Sequence, residues 1–232
     1  MARKGAPVLD LARKVQAVPH IKICCISSPE EAELALRHGA YALGLVSAMP
    51  SGPGVIDEAL IAEIVHQVNG RAETFLLTAQ QDADAIIDQY QRCRPSTLQL
   101  VDHVAPQELR KLRQALPGVM LVQVIHVSGV QSIAETNAVA PLVDAILLDS
   151  GNQKLAVKEL GGTGRTHDWA ISRKIREQCG APVFLAGGLK ADNVRDAIDH
   201  VQPFGLDLCS GVRSDGKLDE TKLRAFFSAA GQ

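Results

Sequence analysis

Eight alternations of an apolar, strand-like run with a helical run, spread over 232 residues, predict an α/β protein closed into a (β/α)8 TIM barrel. The length fits one such domain, because α/β barrels of this size form a single unit. The last two strands end in glycine-rich turns, Ala186-Gly187-Gly188-Leu189 and Cys209-Ser210-Gly211-Val212. In this fold the loops after strands 7 and 8 often hold a phosphate. An open doubly wound sheet is the architectural alternative.

The expected strands are short, apolar and often β-branched: residues 20–26, 41–46, 74–77, 97–101, 120–126, 145–148, 183–186 and 204–209. Helical patterns separate them. The first covers residues 29–38, with Ser28 as its cap, Pro29 in its first turn and Gly39 just past its end. The others cover 57–68, 82–92, 106–116, 130–139, 169–178, 191–201 and 220–230. Residues 1–19 form an N-terminal extension, and residues 20–232 form the barrel domain. Two segments on the C-terminal side of strands are too long for plain turns: residues 47–56 after strand 2, and 149–167 after strand 6. Barrel active sites are built on that face.

Composition narrows the function classes. A formal net charge of −2 and an aromatic content of 3% argue against a nucleic-acid surface, which needs clustered cations and stacking platforms. No apolar run reaches the roughly 18 residues of a membrane span. The basic N-terminus lacks the apolar stretch of a secretory signal. Five cysteines without a CxxC spacing fit a reducing cytoplasm and neither a disulfide scaffold nor a zinc site. The seven histidines are not spaced as metal ligands, and His20 and His126 read as structural residues at strand ends. Walker A, Gly-x-Ser-x-Gly and dinucleotide fingerprints are absent from the sequence.

Alternation along the first strand puts Lys22 and Cys24 on one face and Ile21, Ile23 and Cys25 on the other. The apolar set belongs against the helices, so Lys22 and Cys24 are expected to point into the barrel, with Cys25 as packing. The reactive form of a cysteine is the thiolate, which a neighbouring ammonium favours. A buried structural thiol is the competing reading of Cys24. Asp149 ends strand 6 and either caps the following loop or does chemistry. A thiol base with a carboxyl acid suits proton transfer beside a carbonyl or imine. Gly161-Gly162-Thr163-Gly164 adds a third glycine-rich turn on the same face.

These motifs resemble the phosphoribosylanthranilate isomerase family. The likeness runs through Lys22-Ile23-Cys24, Gly39-Ala40, Leu147-Leu148-Asp149, Gly161–Gly164 with Asp168-Trp169, Leu185–Leu189, Asn193, Asp207 and Ser210-Gly211-Val212. It implies an Amadori rearrangement in tryptophan biosynthesis, with Asp149 as general acid, Cys24 as general base and neither cofactor nor metal. Lys22, Gly162, Thr163, Gly164, Gly187, Gly188, Ser210 and Gly211 become the expected substrate- and phosphate-binding residues, for a small phosphorylated sugar. The sequence departs from the family pattern at four places. Pro53 stands where an arginine is expected to hold the anthranilate carboxylate, Val101-Asp102 replace His-Gly, Arg213 replaces Glu, and Cys25 replaces Gly. Arg213 and Arg165 are the candidate replacement cations. Two other readings stay open from sequence alone: the same chemistry on another phosphorylated aminosugar, and a non-catalytic phosphometabolite-binding barrel.

Overall fold

The computed structural model describes residues 18–151 and 166–232. Its parallel strands β1 (His20–Ile23), β2 (Ala42–Val46), β3 (Glu73–Thr78), β4 (Thr97–Leu100), β5 (Met120–His126), β6 (Ala145–Asp149), β7 (Val183–Leu185) and β8 (Gly205–Leu208) pair in sequence order. β8 pairs back onto β1, so the barrel closes. The expected (β/α)8 architecture is therefore the observed one. Helices α1 (Pro29–Arg37), α2 (Glu58–Val68), α3 (Ala83–Cys93), α4 (Pro106–Ala115), α5 (Gln131–Val139), α6 (Trp169–Gln178), α7 (Val194–Val201) and α8 (Glu220–Ala230) alternate with the strands. Among the described residues no helix is long and apolar enough to cross a membrane.

Local chemistry explains the boundaries. Ser28 caps α1 by accepting the Glu31 N–H at 3.3 Å, and Pro29 opens the helix. Helix α7 begins at Val194, three residues later than the sequence pattern suggests. The delay comes from Asn193, whose Oδ1 accepts the Lys190 N–H and whose Nδ2 donates to the Gly188 carbonyl, each at 2.9 Å. These bonds hold the chain in a turn before the helix starts. β1 stops at Ile23 because Cys25 adopts a φ of 61°, which ends extended backbone. A hairpin that the strand reading overlooks, β9 (Arg213–Ser214) with β10 (Lys217–Leu218), precedes α8. Its Asp215-Gly216 turn has φ 50° and 78°, the geometry for which Asp-Gly is a strong signal.

Two apolar layers follow from the period-2 alternation. Ile21, Ile23, Leu43, Leu45, Leu121, Ile125, Ile146, Leu148, Leu206 and Leu208 face outward and meet the helices. Phe75, Val122, Val124, Ala145, Leu147 and Phe184 fill the barrel interior. Among them lies Lys22, fully buried, with its ammonium 2.8 Å from Asp207 Oδ1. The two residues are register partners across the closing seam. Burial works against the ammonium charge, but Asp207 outweighs it and holds the Lys22 pKa above its ordinary value. The ammonium also lies 5.2 Å from the Phe75 ring centroid. Gly44 makes room for this arrangement, since a Cβ there would lie 2.8 Å from Cys24 Sγ and 3.0 Å from Lys22 Nζ.

Lys22→Met keeps the volume but leaves Asp207 as a buried, unpaired carboxylate. It is expected to cost about 3–5 kcal/mol in urea unfolding, by analogy with other broken buried pairs. Adding Asp207→Asn should recover part of that loss, and a double variant no more stable than Lys22→Met would count against the pairing.

Candidate active site

The C-terminal ends of β1, β4, β6, β7 and β8 converge with the loop after β2 on one cleft. Cys24, Gln99, Asp149, Gly187, Gly188, Asp207 and Ser210 line one part of it. Cys25, Met49, Ser51, Gly52 and Pro53 line another. Cys24, turned inward as its parity suggests, and Asp149, at the end of β6, line the same cleft, on strands three positions apart around the barrel. Cys24 is fixed by its backbone N–H, which donates to the Leu208 carbonyl at 2.7 Å. Asp149 is almost fully buried, and its Oδ1 accepts the Ser150 N–H at 2.7 Å. Burial pushes its carboxyl above the usual range, while the Ser150 N–H and the nearby His126 pull in the other direction. The fold thus favours the protonated acid at this position.

Four expectations change in three dimensions. Lys22 lies beneath the cleft with no exposed surface, bonded to Asp207, so its role is to support the site from below rather than to touch substrate. Gly211 packs so closely on the Leu189 carbonyl that a Cβ would collide with it. It joins the turns after β7 and β8 and is not among the residues that line the cleft. Cys25 is a cleft residue, because its left-handed backbone breaks the strand alternation that would have turned it outward. A non-glycine residue held there costs on the order of 1–3 kcal/mol. His126 is only half satisfied: Nε2 lies 3.0 Å from the Val101 carbonyl, whereas Nδ1 is buried without a partner. Gly162, Thr163, Gly164 and Arg165 lie outside the described residues.

Arg213 is committed elsewhere than to a ligand. Its guanidinium forms a two-pronged pair with Glu31, at 2.9 Å and 3.0 Å. It also donates to the Gly216 carbonyl at 2.9 Å and to the carbonyls of Cys24 and Cys25. Glu31 in turn accepts the backbone N–H of Ser27 at 3.0 Å and that of Leu218 at 2.8 Å. One ion pair therefore ties the end of β1, the start of α1 and the β9–β10 hairpin together. Among the described residues no lysine or arginine lines the cleft.

A family model described as N-(5'phosphoribosyl)anthranilate (PRA) isomerase matches residues 21–229. The chain belongs to the phosphoribosylanthranilate isomerase family. An N-(5'-phosphoribosyl)anthranilate isomerase of Afipia carboxidovorans is 37% identical, over 90% of this chain and 88% of the relative. One from Methanosarcina mazei is 35% identical, over 90% of this chain and 93% of the relative. The crystal structure of phosphoribosyl anthranilate isomerase from Thermotoga maritima superposes with a TM-score of 0.78 at 26% identity, covering 91% of this chain and 98% of that one.

Within the phosphoribosylanthranilate isomerase framework, two departures of this chain are neighbours in space. The Cys25 sulfur lies 3.6 Å from the carbonyl oxygen of Pro53, which the resemblance puts where an arginine is expected. Gly54 closes over the same spot, where a Cβ would lie 2.9 Å from Cys25 Cα.

Arg213→Gln is expected to lower kcat by about a hundredfold with a smaller change in KM, as when reacting groups are displaced by about 1 Å. Arg213→Lys restores the charge but not the fork, and so should recover stability better than kcat. Equal kcat in all three proteins would show that the clamp does not position Cys24. Asp149 makes a separate prediction. Its folded-state pKa is raised, so the stability linked to it is fullest below the ordinary value of 3.8 and is lost as pH rises through the raised value. Asp149→Asn stays neutral and should melt higher than the parent near pH 7, the two curves converging below pH 3.8.

Proposed function

We propose that this cleft rearranges N-(5-phosphoribosyl)anthranilate to 1-(2-carboxyphenylamino)-1-deoxyribulose 5-phosphate, with Asp149 as general acid and Cys24 as general base. The overall activity is that of the family, an isomerisation in tryptophan biosynthesis. The observation that carries the residue assignment is the meeting of a carboxyl whose pKa burial raises and a thiol in one cleft, beside the turns after β7 and β8.

The chemistry follows from that placement. The Asp149 carboxyl gives its proton to the ring oxygen of the ribose. The C1′–O4′ bond breaks as the amine nitrogen lone pair forms a C1′=N bond, leaving a hydroxyl on C4′. Cys24, as thiolate, takes the C2′ proton, and the electrons move through C1′ to neutralise nitrogen. The resulting enolamine becomes the ketone when C2′–OH loses its proton and C1′ gains one. Acid and base at separate strand ends can act on the ring oxygen and C2′ without a single side chain serving both. Gln99 Oε1 is buried without a partner in the cleft wall and offers an acceptor to a substrate hydroxyl or N–H.

The turns at Gly187-Gly188 and Ser210 are the proposed phosphate seat. Gly187 and Gly188 have φ of 87° and 64°, so this backbone is shaped for glycine. Backbone N–H groups at such turns can close on an anion. A phosphorylated ligand is also what one solved relative in fold holds. That structure is described as phosphoribosyl anthranilate isomerase in complex with reduced 1-(o-carboxyphenylamino)-1-deoxyribulose 5-phosphate, with a TM-score of 0.75 and 24% identity.

Turnover of freshly generated phosphoribosylanthranilate, followed by loss of its fluorescence, tests the reading. Cys24→Ser and Asp149→Asn should each fold and lose roughly 10²–10⁴-fold in kcat, the span typical of a lost acid or base. A KM that rises while kcat holds would instead make either residue a binding group.

A further inference from the structure

We propose that the gap between α4 and α5 is a second ligand site, which takes a neutral, single-ring molecule carrying one N–H or O–H donor. Helix α4 packs on α3 and α5 packs on α6, but α4 and α5 stand apart, and α4 meets instead the 3-10 turn Ala140–Leu142. The sequence of α5 explains the gap. Its fully buried residues are Ser132 and Thr136, both small and polar, and the Thr136 hydroxyl donates to the Ser132 carbonyl at 2.7 Å. The helix thus sends no fully buried large side chain toward its neighbour. What remains is a cavity of about 120 Å³. None of the described residues that line it lines the catalytic cleft.

Gln123 gives this cavity its chemistry. Alternation along β5 puts Leu121, Gln123 and Ile125 on the side that faces the helices, while Val122 and Val124 fill the barrel interior. The Gln123 side chain lies in that apolar layer at 2% exposure and lines the cavity. Its Nε2 donates to the carbonyls of Leu100, Asp102 and Val124, at 3.0, 2.9 and 3.2 Å. Three acceptors around one nitrogen fix the orientation of the amide, because the reverse would set oxygen against oxygen. Oε1 is left buried without a partner. An acceptor in that state carries a desolvation cost that a donor removes.

The rest of the wall selects the ligand. Val104, Pro106, Ile125 and Val139 are apolar. His103 and Glu135 are the ionisable groups among the lining residues, and both are exposed. Glu135 disfavours an anion, and among the described residues no lysine or arginine lines the cavity to offset it. An apolar cavity of about 150 Å³ holds one benzene, so the size here suits one ring. The ring covers the apolar wall and its donor meets Oε1. A buried water is a poorer occupant, since it needs about two to four polar partners. Oε1 is the one orphaned side-chain atom that the wall offers.

The test titrates phenol, and in parallel its donor-free isostere toluene, into the whole isotope-labelled protein and follows backbone amide shifts by NMR. Both probes should move the amides of Val104, Ile125 and Val139, with phenol binding about tenfold more tightly, the worth of one net hydrogen bond. Ala138 lines the gap from an exposed position on α5. Ala138→Phe leaves the Gln123 amide and its bonds in place and should fold, and it should abolish binding of both probes there. Gln123→Met keeps the length but loses the acceptor, so phenol should fall to the affinity of toluene. Equal affinities in the parent, shifts confined to cleft residues such as Cys24 and Gly187, or unchanged binding in Ala138→Phe would each overturn the proposal. So would no shift with either probe, which would leave the gap to water. Neither probe nor readout involves turnover, so the result stands apart from the isomerase assignment.

Discussion

The buried ion pair between Lys22 and Asp207 is the constraint on which the rest of the barrel depends. It lies where the first and last strands meet, the one contact that closes an open sheet into a cylinder. A seam between two strands of four residues has few main-chain bonds to fix its register. A slip of β1 by one residue against β8 would turn Lys22 outward among the isoleucines and leucines that face the helices and leave Asp207 unpaired inside. It would also turn Cys24 away from the cleft. Buried ion pairs often contribute little net stability against apolar replacements of similar volume. Specifying a register is a role that an apolar pair could fill less well, because hydrocarbon tolerates slippage that a paired ammonium does not.

Much of this was legible in the chain. Short apolar, β-branched runs mark the eight strands, alternation along β1 turns Cys24 inward, and the end of strand 6 locates Asp149. Helix caps such as Ser28 are local signals, so the helices fell within a few residues of their expected limits. The failures have separate causes, and the first is that alternation assumes extended backbone. Cys25 has a left-handed φ, and the rule inverts its direction at that residue. The Arg213–Glu31 pair spans 182 residues of sequence, and nothing local to either residue announces it. Arg213 therefore read as a free cation when it is the tie between β1, α1 and the hairpin. The Asp215-Gly216 turn is different, since its signal was present and only the shortness of the flanking strands hid it.

The departures from the family pattern become intelligible as a group. Glycine at position 25 would take the left-handed φ without strain, whereas cysteine takes it at a cost that neighbouring contacts must offset. Those contacts are present: Arg213 donates to the Cys25 carbonyl, and the Pro53 carbonyl and Gly54 backbone press against its side chain. Arg213 and Pro53 are themselves departures. Three of the four changes thus meet around one residue, and the loop without its arginine is the loop that covers Cys25.

Electrostatics then separates the two sides of the cleft. Lys22 and Arg213 both sit below or beside the end of β1, so the thiol side has cations within the protein itself. Asp149 sits at the end of β6 with burial as the dominant influence on its carboxyl. Lys22 and His126 act on it more weakly than burial does, and the negative Asp207 adds to burial rather than opposing it. The Lys22–Asp207 pair adjoins both sides of the cleft. Its ammonium lies toward the thiol, its carboxylate disfavours ionisation of Asp149, and neither charge reaches the cleft unpaired. The pair that fixes the register of the barrel thus also supplies, through its carboxylate, one of the influences that raise the Asp149 carboxyl.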